Sequence, residues 1–420
     1  MKKNTVLIIG GGAAGMMAAI SAAESGASVI LLERNSRLGR KLMITGKGRC
    51  NITNKTDLSG LIGATVGNGR FLYSAYSRFT PQDMVDFFQN EGLSVKVERG
   101  NRVFPISDRS VDVVDCLVNK VRSLGVFVAQ GRAKNLMIEN NTVVGAATED
   151  GKVYQADRVI ICTGGASYPA TGSTGDGYSL ARQAGHTVTP LRPSLVPLES
   201  PDPACKEMQG LSLRNVKLRL LDAKKKKELF SDFGEMLFTH FGVSGPLVLS
   251  ASSHIRQMES NRYSLDLDLK PALDDSQLDN RLVRDFTKYQ NRDFHHLFDD
   301  LLPRKMIPVF VKKTGIDSSC KGNQVTKEMR LNIIHQLKHF EIEISKFRSI
   351  EEAIVTAGGV SIKEINPKTM ASKRIRNLFF AGEILDVDAY TGGFNLQIAW
   401  STGFLAGKYA ADLNETEKDG

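Results

Sequence analysis

A glycine-rich turn near the amino terminus constrains this chain more than any other feature. The run TVLIIG at 5–10 reads as a short buried parallel strand, 13–24 as an alanine- and methionine-rich helix, and SVILLE at 28–33 as the next strand. Between the first strand and the helix lies Gly10-Gly11-Gly12-Ala13-Ala14-Gly15, which matches G-x-G-x-x-G. Each glycine has its own reason to be there. Gly10 allows a tight turn, Gly12 lets the backbone approach a pyrophosphate, and Gly15 lets the helix pack closely on the strand. The helix starting at Ala13 and Ala14 aims free N–H groups and the positive end of its dipole at phosphates. Glu33 ends the next strand, where a carboxylate accepts hydrogen bonds from adenosine ribose hydroxyls, and Arg34 follows it. An adenine dinucleotide is the implied ligand. The bland alternative, an ordinary βαβ unit, requires none of this context.

Three further segments favour FAD over NAD. Thr163-Gly164-Gly165 follow the apolar run RVIIC at 158–162, so a strand end and its glycines can approach a cofactor. Phe379-Phe380-Ala381-Gly382-Glu383 deliver a carboxylate at a strand end, suited to the ribityl hydroxyls that a flavin has and NAD lacks. Gly392-Gly393-Phe394-Asn395 open the last helix, whose amino end would stabilise the negative charge of a reduced flavin. The alternative for each segment alone is a glycine-bearing turn.

At 420 residues the chain is long enough for two or more domains. Alternating runs at 136–139, 142–148 and 153–157, separated by Asn140-Asn141 and Asp150-Gly151, predict an antiparallel meander. From 188 to 348 the pattern changes. Strands are expected at 216–221, 228–230 and 265–269, then helices at 276–289, 304–313 and 327–340. The first fold returns near 354, with a strand at 378–381 and a helix at 395–413. Five cysteines without metal-type spacing point to a reducing compartment, and no run reaches the length needed to span a bilayer. A cytoplasmic protein with no metal and no membrane partner is expected. The net charge of +9 is compatible with a polyanionic partner or with generic surface charge.

GGGAAG at 10–15, TGKGRCNITN at 45–54, CTGGASYPATGSTGDGY at 162–178, FTHFGVSGP at 238–246, TAGGV at 356–360 and GEILDVDAYTGGFNLQIAWSTG at 382–403 resemble the BaiN/RdsA (YhiN-like) flavoproteins. The resemblance covers nearly the whole chain. It implies an α/β fold: a Rossmann-type, glutathione-reductase-like FAD-binding domain over 1–188 and 349–420. An inserted α+β domain would span 189–348, with a β-barrel part (189–272) and a helical part (273–340). Carried over by motif, Gly10, Gly12, Ala14, Gly15 and Glu33 would hold the ADP half of non-covalent FAD. Lys41, Gly48, Arg49, Cys50 and Asn51 would lie beside the pyrophosphate or flavin, and the Ala133 backbone beside adenine. Gly164, Asp176, Gly382, Glu383, Gly393, Phe394 and Asn395 would complete the site. Ala389 and Tyr390 depart from the glycine usual there, which puts the local backbone in question.

One G-x-G-x-x-G without a second implies that NAD(P)H, if it is the donor, docks transiently. Candidate proton donors are Cys50, whose thiol pKa cationic neighbours could lower, and His240; Tyr168 is read as a turn residue. The plain alternatives are a packed cysteine and a structural histidine. The expected activity is reduction of an activated C=C bond by a flavin-dependent oxidoreductase. The family's assigned activities include uridine reduction in ribosomal RNA, so rRNA is a candidate partner. An amine or amino-ketone oxidase, or a flavin-holding interaction protein without turnover, are the alternatives. Substrate identity and oligomeric state stay open.

Overall fold

The computed structural model describes residues 4–412. One compact unit comprises the chain up to Ser194 and from Ile350 onward; Leu195–Ser349 form the other. The first unit keeps residues 189–194, expected in the insertion, because Arg192–Ser194 pair antiparallel with Val355–Ala357.

The first unit is built on strands β1 (Thr5–Ile9), β2 (Ser28–Glu33), β3 (Phe127–Gln130), β4 (Ala133–Glu139), β5 (Thr142–Thr148), β6 (Val153–Gln155), β7 (Arg158–Ile161) and β8 (Leu378–Phe380). Its main helices for function are α1 (Ala13–Glu24), α2 (Asp176–Gln183) and α3 (Phe394–Ala411). Five strands form a parallel sheet in the order β8-β7-β1-β2-β3. Val6, Leu7 and Ile8 of the central strand are fully buried, as a strand covered on both faces must be. The predicted meander is present as β4, β5 and β6, and Asn140 and Asn141 both take the positive φ that its hairpin turn requires.

Two helices from opposite ends of the chain hold this unit together. A Cβ at Gly403 or Gly407 would come within 2.4 or 2.3 Å of the carbonyl oxygens of Ala14 and Ala18, so α1 and α3 meet backbone to backbone. Ser21 Oγ donates to Phe404 O at 2.8 Å, and Asn4 Nδ2 donates to Ala410 O at 2.7 Å. Together with the pairing of β8 on β7, this contact makes a discontinuous domain one body. A methyl group at either glycine must separate the two backbones, at a cost of about 1–3 kcal/mol.

A buried histidine closes the same unit. His186 Nε2 lies 2.7 Å from Ser372 Oγ and Nδ1 lies 3.2 Å from Glu364. The order Ser–His–Glu resembles a hydrolytic triad, but Ser372 Oγ already accepts the N–H groups of Arg374 and Ile375, so it is a clamp. Burial pushes His186 below its ordinary value of 6.5, against the pull of Glu364. The unfolded chain therefore binds more protons at mildly acidic pH. Stability should be flat above neutrality and fall as pH drops through about 6.5. Thermal melts of wild type and His186→Gln check this: the variant should lose that part of the slope, and an unchanged slope would remove the assignment.

The second unit carries an antiparallel seven-stranded sheet in the order Phe340–Ile344, Tyr263–Asp268, Ser212–Asp222, Lys227–Thr239, Gly242–Ser244, Leu198–Glu199, Lys346–Phe347. Helices Asp275–Lys288, Ile307–Thr314 and Lys327–Lys338 make its helical part. Among the described residues no helix is long and apolar enough to cross a membrane. The predicted last helix ends within the described residues at Ala411; Leu413 lies outside them.

Candidate functional site

The glycine turn leads from β1 into α1 with the geometry that its sequence predicts. Gly10 has φ +105°, and a Cβ there would press on Cys162 O at 2.6 Å. A Cβ at Gly15 would lie 1.8 Å from Gly10 O, so that glycine is required by the protein itself. Gly12 differs: its Cβ would meet nothing within 4 Å. Gly12 caps α1 without any side-chain cap, leaving the first N–H groups of a 12-residue helix, those of Ala13, Ala14 and Gly15, without side-chain partners. At the end of β2 the buried Glu33 carboxylate accepts from the N–H of Gly11 at 2.7 Å and from the N–H and side-chain amide of Asn35, both at 2.7 Å.

The carboxyl-terminal half of the site comes to the same sheet edge. Beyond β8, Gly382 (φ +80°) would place a Cβ 2.7 Å from that of Ala14. Its N–H donates to Thr402 Oγ1 of α3 at 2.9 Å. Glu383 gathers three partners: Lys41 Nζ at 2.8 Å, Ser167 Oγ at 3.2 Å and the Thr356 N–H at 2.9 Å. Gly164 and Gly165 flank it, since Cβ atoms there would lie 3.9 and 2.9 Å from its carboxylate oxygens. Thr163 sits beside Gly10, where the β7 end meets the turn.

The third part is the start of α3. Gly393 (φ +98°) caps this 18-residue helix without a side-chain cap, and a Cβ there would strike the Thr53 backbone at 2.4 Å. Thr53 Oγ1 donates to Gln397 Oε1 at 2.6 Å, Trp400 Nε1 donates to Ile52 O at 2.9 Å, and Asn54 Nδ2 donates to Gly392 O at 3.0 Å. The predicted 45–54 loop is thus locked to the predicted helix start. Asn395 Nδ2 donates to the Ala389 carbonyl and its Oδ1 accepts the Ala389 N–H, so its side chain shapes the 389–390 loop while the Phe394 and Asn395 backbone opens the helix. That clamp supplies the order which glycine's absence at 389 put in question.

Arg34 and Asp176 also meet, at 3.0 Å, beyond the end of β2. Arg132, one residue before Ala133 and β4, binds the same carboxylate at 2.6 and 2.7 Å and holds Asp176 below the ordinary carboxylate range.

The Arg49 guanidinium is held by Glu98 and Asp108 and stacks 4.1 Å over the Phe104 ring, so its charge is balanced within that cluster. One expectation is corrected. Cys50 is not activated: it is fully buried at φ +58°, and burial pushes its thiol up to about 12 despite a hydrogen bond with Thr45. Iodoacetamide should leave Cys50 unmodified in the folded protein, as peptide mass spectrometry would show; rapid labelling would reinstate the thiolate. Gly48 (φ +82°), in the same loop, has open space around its missing Cβ. His240 lies in the other unit, between strands Lys227–Thr239 and Gly242–Ser244, its ring 5.0 Å from that of Phe241.

The residues present fit a dinucleotide with a polyol segment. Beyond the uncapped helix starts, the buried Asn51 Oδ1, Thr163 Oγ1 and Tyr178 hydroxyl have no hydrogen-bond partner among the described residues, and all three belong to the segments gathered here. Buried polar atoms without partners are rare in a folded chain. Ser167, Thr356, Arg132 and Tyr178 were not singled out from the sequence. Ser167, Thr356 and Tyr178 lie in quoted motifs, yet only the fold brings the first two to Glu383.

Comparison with known proteins agrees with this architecture. The HI0933-like protein Rossmann domain model matches residues 4–251 and 310–409, and the HI0933-like protein barrel and H2TH domain model matches 192–355. A 3-dehydro-bile acid delta(4,6)-reductase of Clostridium scindens is 33% identical over 93% of this chain and 94% of its own length. The ribosomal RNA dihydrouridine synthase of Escherichia coli is 29% identical over 96% of this chain and 97% of its own. Among solved structures, the 3-ketosteroid-delta4-(5alpha)-dehydrogenase of Rhodococcus jostii superimposes with a TM-score of 0.51 at 16% identity, covering 97% of this chain and 96% of that one, a likeness of fold. With both family models matched across its length and a full-length relative at 33% identity, this chain belongs to the HI0933-like (BaiN/RdsA, YhiN-like) family of flavin-dependent oxidoreductases.

Proposed function

We propose that this protein uses NAD(P)H to reduce a C=C bond conjugated to a carbonyl, and that the bond belongs to a uridine of ribosomal RNA. The observation that carries the reading is the meeting of Gly382 and Glu383 with the α1 turn on one sheet edge. In this reading Gly12 and the first N–H groups of α1 hold the FAD pyrophosphate, and Glu33 the adenosine ribose. Glu383, oriented by Lys41, Ser167 and Thr356, takes the ribityl hydroxyls. The uncapped amino end of α3 would stabilise negative charge on the reduced flavin. Bound FAD supplies the two-electron chemistry. With a single dinucleotide turn already assigned to FAD, NAD(P)H docks transiently.

The names of the relatives support the reaction class. A dihydrouridine synthase and a delta(4,6)-reductase both saturate C=C bonds in conjugation with carbonyls. The net charge of +9 favours the RNA substrate and, with it, a cytoplasmic location. The 33% identity to the bile acid enzyme favours a second reading, a small conjugated ketone as substrate. Anaerobic mixing of the yellow protein with NADH or NADPH separates them. One nicotinamide should bleach the flavin, and ribosomal RNA from a deletion strain should restore the colour. Restoration by a conjugated ketone alone selects the second reading. Failure of both nicotinamides, with bleaching by an amine and peroxide formation in air, would establish an oxidase instead.

A further inference from the structure

The helical part of the inserted unit contains a groove of about 710 Å³ that the flavin site does not use. Two elements line it. In the turn Phe294–Phe298, the rings of Phe294 and Phe298 are buried and pack edge to face at 5.1 Å, with Phe310 against Phe298 at 5.2 Å. That apolar anchor turns His295 and His296 outward, with ring centroids 3.8 Å apart. Helix Ile307–Thr314 buries Ile307 and Val311 at the groove floor and exposes Lys312 on the rim, with Arg304 just before the helix. Three neighbouring lysines of the unit are neutralised: Lys313 pairs with Asp202, Lys321 with Asp293 and Lys288 with Asp300. Among the described residues no carboxylate pairs with Arg304 or Lys312, and the groove's own Asp299 is drawn to His296 at 3.4 Å.

We infer that this groove binds an unpaired stretch of the RNA substrate, an inference that rests on the RNA reading above. Arg304 and Lys312, neither of them ion-paired among the described residues, stand against the single carboxylate of Asp299 and match two phosphates. Two outward imidazoles over an apolar floor offer the flat faces on which unpaired bases stack. A duplex, whose bases are already stacked, has no use for those faces. An acidic protein would use the cations alone.

Fluorescence polarisation of the holoenzyme with a labelled single-stranded oligouridylate, and with a duplex of equal length, tests this. The single strand should bind more tightly, with affinity falling as salt rises. Arg304→Gln with Lys312→Gln should weaken it at least tenfold and flatten the log–log salt slope by about 0.7 per cation removed. His295→Ala with His296→Ala should weaken the single strand and leave the slope unchanged. Arg304→Lys should keep the slope, and retained flavin absorbance shows that each variant is folded. If the holoenzyme binds RNA and the double glutamine variant keeps both affinity and slope, the groove is not the RNA site, while the RNA substrate stands. If the holoenzyme binds no RNA at low salt, the RNA reading itself fails, and this inference with it.

Discussion

Gly12→Val is expected to yield a folded protein without colour. The backbone at Gly12, with φ −82° and ψ −163°, is ordinary extended geometry that valine adopts. Its Cβ would meet no protein atom within 4 Å. The change costs the chain only the helix cap, about 1 kcal/mol, or a melting shift of about 2–4 °C in a domain of this size. The two added methyl groups stand where the pyrophosphate must approach, so FAD affinity should fall at least ~100-fold, about 2.7 kcal/mol. Gly15→Val is the contrast. Its Cβ would lie 1.8 Å from Gly10 O, and that variant should fail to fold whether or not a cofactor exists. The flavin-to-protein absorbance ratio, read beside a thermal melt, separates the two. Gly12→Val purified with its full flavin complement would mean that no phosphate passes over Gly12.

Glu383→Ala should have the next largest effect. Glu383 and Lys41 are about one-fifth exposed (20% and 22%), so the pair is partly screened. Removing the carboxylate leaves the Lys41 ammonium with only Ser167 Oγ as partner and the Thr356 N–H without its acceptor. The expected cost to the free protein is about 1–3 kcal/mol, below the figure for a fully buried pair. The larger loss falls on the cofactor, whose ribityl hydroxyls lose a charged acceptor; FAD affinity should drop at least ~10-fold. Glu383→Gln keeps an oxygen for Thr356 and should fall between. Equilibrium dialysis measures all three, and an unchanged FAD affinity in Glu383→Ala would separate this carboxylate from the cofactor.

What could be read from the sequence follows from how local each signal is. The βαβ start, the Asn140-Asn141 hairpin and the last strand and helix announce themselves within a few residues. Between 34 and 132 no elements were expected, although five-residue or longer helices occupy much of it. Helix Ser110–Ser123 starts after Arg109, which provides no side-chain cap, so its boundary carries no signal. Strand β3 lies at the sheet edge with only Ala129 buried, so it lacks the continuous apolar run of its inner neighbours. Within the site, glycines such as Gly10, Gly15, Gly382 and Gly393 were legible because each meets a steric or backbone constraint, whereas Gly12 was legible from the motif alone. The partners of the site's cations were not. A guanidinium next to a glycine loop looks like a phosphate ligand, and only the fold brings Glu98 and Asp108 from other segments to balance its charge.

Titrating the flavin-free protein with ADP and with FAD tests the two-ended grip most directly. ADP carries only the half assigned to Gly12, α1 and Glu33. Gly12→Val should therefore lose both ligands, whereas Glu383→Ala should bind ADP like wild type and FAD at least ~10-fold more weakly. Equal loss of ADP and FAD in Glu383→Ala, or undiminished FAD binding there, would contradict a cofactor held by opposite ends of the chain.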